Sequence, residues 1–228
     1  MVNVDTVYQK VLALANKEQR GYITPQEFNL FANQAQLEIF EQYFYDMNQF
    51  NRLPSNETEY SNMVELLDEK ISIFKRTGSF SVSGGSGVIP LNYHKLGTLS
   101  IFNNEVEEVD AKELYYIQNS PLANPGLTGK YVYTRQNNAI QVYPIFTGTI
   151  ITTFVIIPSV VAWGYVVVDE KAMYDPNPAR TFNFQLHASE ETELVYRILS
   201  LAGVTLNKPE LTQTGMGMVQ QQQSTEKA

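Results

Sequence analysis

Residues 24–47, TPQEFNLFANQAQLEIFEQYFYDM, decide how the rest of the chain is read. They predict one long amphipathic helix with a well-marked start. Thr24 is placed to cap the free amides, Pro25 suits the first helical position, and Glu27 completes a capping box. Phe28, Phe31, Ala32, Ala35, Ile39 and Tyr43 recur at three- and four-residue spacing and share one stripe. The opposite side carries Asn29, Asn33, Gln36 and Glu41, mostly amides. Such a side can face water, or pack on a protein with little charge to desolvate.

Upstream, residues 4–19 predict a first helix with Val7, Val11, Leu14 and Ala15 on its apolar face and Gly21 beyond its end. Downstream, Pro54 and Asn56 mark a loop, and a third helix over 57–76 carries Tyr60, Met63, Val64, Leu67, Ile71 and Phe74. Composition changes at Thr77, where TGSFSVSGGSGVIP loses all charge and gains glycine. Strands are expected at 80–82 and 88–90 and over 130–134, 139–143, 149–157 and 165–169, while 96–102 reads as another strand or a short turn-like helix. Asn137–Asn138 suits a tight hairpin turn. VDAKELYYIQNSP reads as a helix capped by Asp110. Residues 170–184 read as irregular because of Pro176 and Pro178, with Phe182 and Phe184 able to form a last edge strand.

A final helix spans about 186–202. The end, KPELTQTGMGMVQQQQSTEKA, has no lasting period. The fold class expected is α+β: a helical bundle-like body (1–76) with an inserted, mainly antiparallel β unit (77–184, one short helix near 110–119). A C-terminal helix (185–205) returns to the body. An extended tail (206–228) is mobile alone or docked on a partner.

Composition limits the chemistry. The chain has 228 residues, 43% of them hydrophobic, enough for a sizeable core. It has no cysteine, so disulfides and thiolate chemistry are excluded. Its formal net charge is -8, with no Lys/Arg run of the kind a general nucleic-acid binder needs. Fourteen Tyr and twelve Phe suit both β-rich cores and extended protein interfaces. No basic, apolar leader opens the sequence. Residues 150–168 have the length of a membrane span, but Pro158, Gly164 and the β-branched residues favour two strands.

No GxGxxG, GxxxxGK[ST] or HExxH occurs. Gly84, Gly85 and Gly87 suit a turn or a flexible linker better than an anion nest, since no lysine follows. His187 and Glu191 stand four apart and could pair or share a metal, but acidic residues at a helix start ordinarily serve its free amides. Glu105, Glu107, Glu108 and Asp110 read as a solvated face. Tyr131, Tyr133, Arg135 and Tyr143 could stack on single-stranded nucleic acid, against the plainer reading of a packed hairpin. Neither a catalytic residue, a cofactor nor a metal is predicted.

The opening DTVYQKVLALANKEQRGYITPQEFNLFANQAQLEIFEQYF resembles the start of a group of tailed-phage structural proteins. VDAKELYYIQNSPLANPG, YVYTRQNNAIQVYP and ITTFVIIP continue the likeness, as does ETELVYRILSLAGVTLNKPEL with its Gln-rich end. The group is the head–tail connector, adaptor or neck-ring proteins of short-tailed and crAss-like phages. The resemblance implies a non-enzymatic ring protein, often in twelve copies, assembled in the host cytoplasm and lodged at the head–tail junction of the virion. Its implied partners are copies of itself, the portal protein, an adjacent neck or tail ring protein, and phage DNA passing without specific binding; a membrane is not among them. The residues nominated for contacts are Phe28, Phe31, Gln36 and Tyr43 on the long helix and Tyr131 and Tyr133 in the β unit. The tail contributes Leu211, Met216, Met218 and Val219. The rival readings are a carboxylate-based hydrolase and a monomeric protein-binding module.

Overall fold

The computed structural model describes residues 1–16, 23–51, 63–89, 92–205 and 209–226. In chain order they form α1 (Val4–Asn16), α2 (Pro25–Phe50), α3 (Met63–Ser72), β1 (Lys75–Ser83), β2 (Ser86–Val88), β3 (Tyr93–Ile101) and β4 (Asn104–Glu108). Then come α4 (Ala111–Asn119), α5 (Pro125–Thr128), β5 (Val132–Gln136), β6 (Ala139–Tyr143), β7 (Gly148–Ile156), β8 (Tyr165–Val168) and β9 (Lys171–Tyr174). A 3-10 turn (Ala188–Glu190), α6 (Glu191–Thr205) and α7 (Pro209–Glu226) complete the order. The fold is mixed α+β. Two compact units divide it: Met1–Ile73 with Pro158–Ala228, and Phe74–Ile157.

The helical unit is built on α2. Thr24 caps it as the sequence predicts: its hydroxyl accepts from Glu27 N (3.3 Å), and the Glu27 carboxylate accepts from Thr24 N (2.9 Å). These bonds to the Thr24 backbone and side chain hold the Glu27 carboxyl below its ordinary range. Phe28, Ala32, Ala35, Ile39 and Phe40 are buried, with Val4, Val7 and Val11 of α1 and Leu194, Val195 and Ile198 of α6. Tyr8 packs against Phe28 (4.7 Å between ring centroids) and Trp163 (4.2 Å), and the Trp163 indole donates to Asp5 Oδ1 (2.9 Å).

The amide side of α2 does something the helical pattern alone does not show. Asn29 Oδ1 accepts from Trp163 N (2.7 Å) and its Nδ2 donates to Trp163 O (3.4 Å). Asn33 repeats the pair on Val161, both bonds at 2.8 Å. Gln36 donates to Ser159 O and accepts from Gln185 N, both at 2.9 Å. Positions spaced four and three along a helix advance about 6 Å and 4.5 Å, against about 6.6 Å for two residues of extended chain. The amides therefore meet every second residue of 159–163 and take the place of a neighbouring strand. The other edge of that segment pairs Ala162 with Phe182, and Phe184 bridges Val2.

The second unit is a closed barrel in the order β1-β2-β6-β5-β4-β3-β7. Its pairs are antiparallel except β4 with β5, where Glu107 and Glu108 lie beside Val132 and Tyr133 in parallel register. Val82, Leu99, Ile101, Val106, Ile140, Val142 and Ile150 fill the interior. Gly84 and Gly85, both at positive φ, turn β1 into β2, and Asn137 (φ 54°) turns β5 into β6. α4 and α5 sit in the crossover between the two parallel strands.

Several boundaries differ from the sequence reading. The β unit was expected over 77–184, but it closes at Ile157, because β1 from Lys75 pairs with β7 up to Val155 and 159–163 bonds instead to α2. The third helix, expected over 57–76, ends at Ser72; its expected start lies outside the described residues, as do residues 17–19 of the first helix. Lys171–Tyr174, read as irregular, pairs with β8 as a two-stranded ribbon. The tail, expected to be extended, is helical over Pro209–Glu226 and packs on α6. A Cβ on Gly215 would lie 3.0 Å from Ser200 N, so that glycine permits the close approach. No helix among the described residues is long and apolar enough to cross a membrane.

Candidate functional site

The nominated contact residues separate by burial. Phe28, Gln36 and Tyr43 are buried in the helical unit and Tyr133 in the barrel, so they are core rather than surface. Phe28 and Tyr43 lie on the stripe that packs into the helical unit, Gln36 is buried by its bonds to Ser159 O and Gln185 N, and Tyr133 belongs to the barrel core. Phe31 and Tyr131 are half-buried, and the Tyr131 ring meets Phe146 edge-on at 5.5 Å. On α7, Met216 and Met218 are exposed and Val219 is half-buried; the side chain of Leu211 lies outside the described residues.

The outward stripe of α2 is Gln26, Leu30, Gln34, Leu37, Glu41, Tyr45 and Asn48. Leu30 is 71% exposed, Leu37 43% and Tyr45 61%. Glu41 is the one ionisable carboxylate among these seven. Sequence reasoning passed over the stripe because its spacing is as regular as that of the buried one. The signal available was Leu30 and Leu37, seven apart and off the aromatic stripe.

Leucines gain by leaving water, and uncharged amides cost less to desolvate than charged groups provided the arriving surface offers them hydrogen bonds.

A second uncovered element is the β8–β9 ribbon. Tyr165 and Tyr174 stack near Trp163 (6.0 and 5.7 Å), and Asp175 N donates to Gly164 O (3.0 Å), so its root is fixed. Val166, Val167, Val168 and Met173 beyond the root are exposed.

A cavity of about 390 Å³ opens between α2, α3 and the start of α6. Ile39, Tyr43, Phe50, Leu66 and Leu67 form apolar walls, and Asp46, Glu190 and Glu193 contribute carboxylates. Glu190 is held by Lys70 at 2.6 Å. Glu193 is held by Arg197 at 2.6 Å, and Arg197 also reaches Glu38 (3.5 Å) and Gln42. Gln223 of α7 closes this network on Gln42 (3.0 Å) and Glu193 (3.3 Å).

At the rim, His187 Nδ1 lies 2.9 Å from Ser189 Oγ. The same nitrogen accepts from Ser189 N, and His187 is the N-cap of the 3-10 turn, so helix-start geometry accounts for the pair. Glu191, proposed as a partner for His187, pairs instead with Lys10. Among the described residues no group of three or more His, Asp or Glu is placed to hold a metal.

In the barrel, Tyr133 is 3% exposed and its hydroxyl donates to Glu108 Oε2 (3.0 Å). Burial first, and the adjacent carboxylate second, push its ionisation above the ordinary phenol range. Arg135 lies over the Tyr93 ring (5.2 Å) and donates to its hydroxyl (2.7 Å). Tyr133 is turned inward and Arg135 is engaged with Tyr93, so two of the four residues considered for stacking on single-stranded nucleic acid are otherwise occupied. No protein-family model matches the chain, and no curated protein matches it either.

Proposed function

We propose that this chain is a structural ring protein of a phage virion, an adaptor between portal vertex and tail that encloses part of the DNA channel. The observation that carries the reading is the outward stripe of α2, seven positions with three large apolar residues and one carboxylate. Such a stripe suits a permanent lateral contact, and many such contacts repeated around a closed ring are strong together. The resemblance of the opening, middle and closing segments to neck-ring proteins supplies the setting. It also supplies the partners: copies of the chain, a portal protein and a neighbouring neck or tail ring protein.

Charge distribution supports passage of DNA without capture. The helical unit has ten Lys/Arg against nineteen Asp/Glu, and the barrel unit six against five. Neither has the excess of cations that holds a duplex. Imaging of intact particles from cells that make the chain tests the proposal. Rotationally repeated copies at the head–tail junction are expected; a chain missing from particles and present as a free monomer overturns it.

The hydrolase reading is favoured by one observation, the cavity with Asp46, Glu190 and Glu193 on its wall. Two of those carboxylates are already held by cations, which suits structure better than proton transfer. Turnover of a glycoside or ester panel that vanishes in Glu190→Gln would reverse this preference.

A further inference from the structure

We propose that the β8–β9 ribbon of one copy lies on the outward stripe of α2 of the next copy, making the lateral contact of the ring; this rests on the ring reading above. A cyclic assembly with more than two members joins two unlike patches of the same chain. The helical unit carries two such patches, and their chemistry matches.

The ribbon's register defines its faces. Val166 stands opposite Met173, and Val168 opposite Lys171, so these four side chains share one face. Tyr165, Tyr174, Val167 and Ala172 share the other, which is rooted by the stacking on Trp163. The first face therefore presents three apolar side chains and, at its far end, one cation. Asp169 and Glu170, both at positive φ, form the turn and stand at the tip rather than on either face. A ribbon of two strands is marginal in water by itself, and neither strand pairs with a third. Its open valines are the kind of surface that strands ordinarily cover.

The α2 stripe offers the complement. Leu37 and Glu41 are one turn apart, about 6 Å along the helix. Met173 and Lys171 are two residues apart, about 6.8 Å along the ribbon. With Met173 over Leu37, Lys171 reaches Glu41, the lone carboxylate of the stripe. Val166, opposite Met173, then lies beside Leu37, and Val168, opposite Lys171, lies beside Glu41. Apolar spacing and charge sign agree in a single register.

The absence of cysteine in the sequence gives a clean test. The full-length chain carrying both Leu37→Cys and Met173→Cys is oxidised at high concentration and run under denaturing, non-reducing conditions. A ladder of dimer, trimer and higher species is expected. Either single variant should give little product, and the pair Leu37→Cys with Val88→Cys should give none above background, although Val88 is 67% exposed. In the double-cysteine background, Glu41→Lys or Lys171→Glu alone should cut the linked fraction by roughly fivefold, and both together should restore it.

A ladder no stronger than the Val88 control overturns the inference. So does a strong dimer from Met173→Cys alone, which would mean ribbon against ribbon about a two-fold axis. If particles contain the ring while the ladder is missing, only this contact is wrong. If the ladder forms while the chain is missing from particles, the contact stands and the virion reading falls.

Discussion

At the residue scale, Asn33 has a role that the helical pattern of α2 does not show. Its amide answers both the N–H and the C=O of Val161, whose side chain is buried. Asn33→Ala leaves both backbone groups without that partner. A loss of about 1–3 kcal/mol is expected, the usual cost of stranding a buried polar group. Urea unfolding measures it, and Gln34→Ala, on the exposed side with a bond only to Glu38, should stay within about 0.5 kcal/mol of wild type.

Tyr133 gives a pH signature. In the unfolded chain a phenol ionises near pH 10, whereas burial beside Glu108 raises that value in the fold. The folded state thus keeps a proton that the unfolded state releases. Its stabilising contribution is complete below about pH 10 and is lost as pH climbs toward the raised value. Melting temperature should fall more steeply above pH 10 in wild type than in Tyr133→Phe. Parallel curves would show that the phenol does not titrate in this way.

At the element scale, α7 shows how tertiary packing overrides a weak local signal. Two glycines and three threonines weaken its helix propensity, no apolar period marks a buried face, and the sequence accordingly read as a tail. α6 supplies what the sequence of α7 lacks: Gly215 fits against Ser200, and Gln223 reaches Gln42 and Glu193. The two glycines should therefore respond oppositely to alanine. A Cβ on Gly217 meets nothing within 4 Å, so Gly217→Ala should stabilise α7 by about 1 kcal/mol through helix propensity. A Cβ on Gly215 meets Ser200 backbone atoms at 3.0 and 3.1 Å, so Gly215→Ala should displace the helix. Amide exchange protection in α7 should rise in the first variant and fall in the second.

The same contrast marks what was legible elsewhere. The capping box of α2 depends on neighbours three residues apart and was read correctly from Thr24 and Glu27. The role of Asn29, Asn33 and Gln36 depends on a segment more than 120 positions away, and a helical wheel shows only that they share a side. Barrel closure depends on a three-residue strand, Ser86–Val88, and on Asn104–Glu108, which is acidic and joins its neighbour in parallel. Neither has the β-branched run by which strands are recognised. The outward stripe of α2 had a local signature but no local reason to be preferred over the buried one.

At the scale of the whole molecule, the two units should unfold as separate transitions. The barrel has its own core, and its chain ends are adjacent: Lys75 pairs with Val155, and Ile156 N donates to Phe74 O at 3.0 Å. Residues 74–157 can therefore leave the chain without cutting a strand pair, and the excised segment should unfold cooperatively. A domain of this size holds only a few kcal/mol of net stability. Ile150 is fully buried in the barrel, and Ile150→Ala should cost about 2–5 kcal/mol. That is enough to leave the excised barrel largely unfolded, and in the full chain it should lower one transition while the helical unit melts as before. Salt should distinguish them further. The helical unit carries the large excess of acidic residues, so added salt relieves its self-repulsion and should raise its transition, while the nearly balanced barrel should respond little. Calorimetry of the full chain with and without Ile150→Ala, at low and moderate salt, reads both effects; a single transition that moves as one would show that the two cores are not energetically independent.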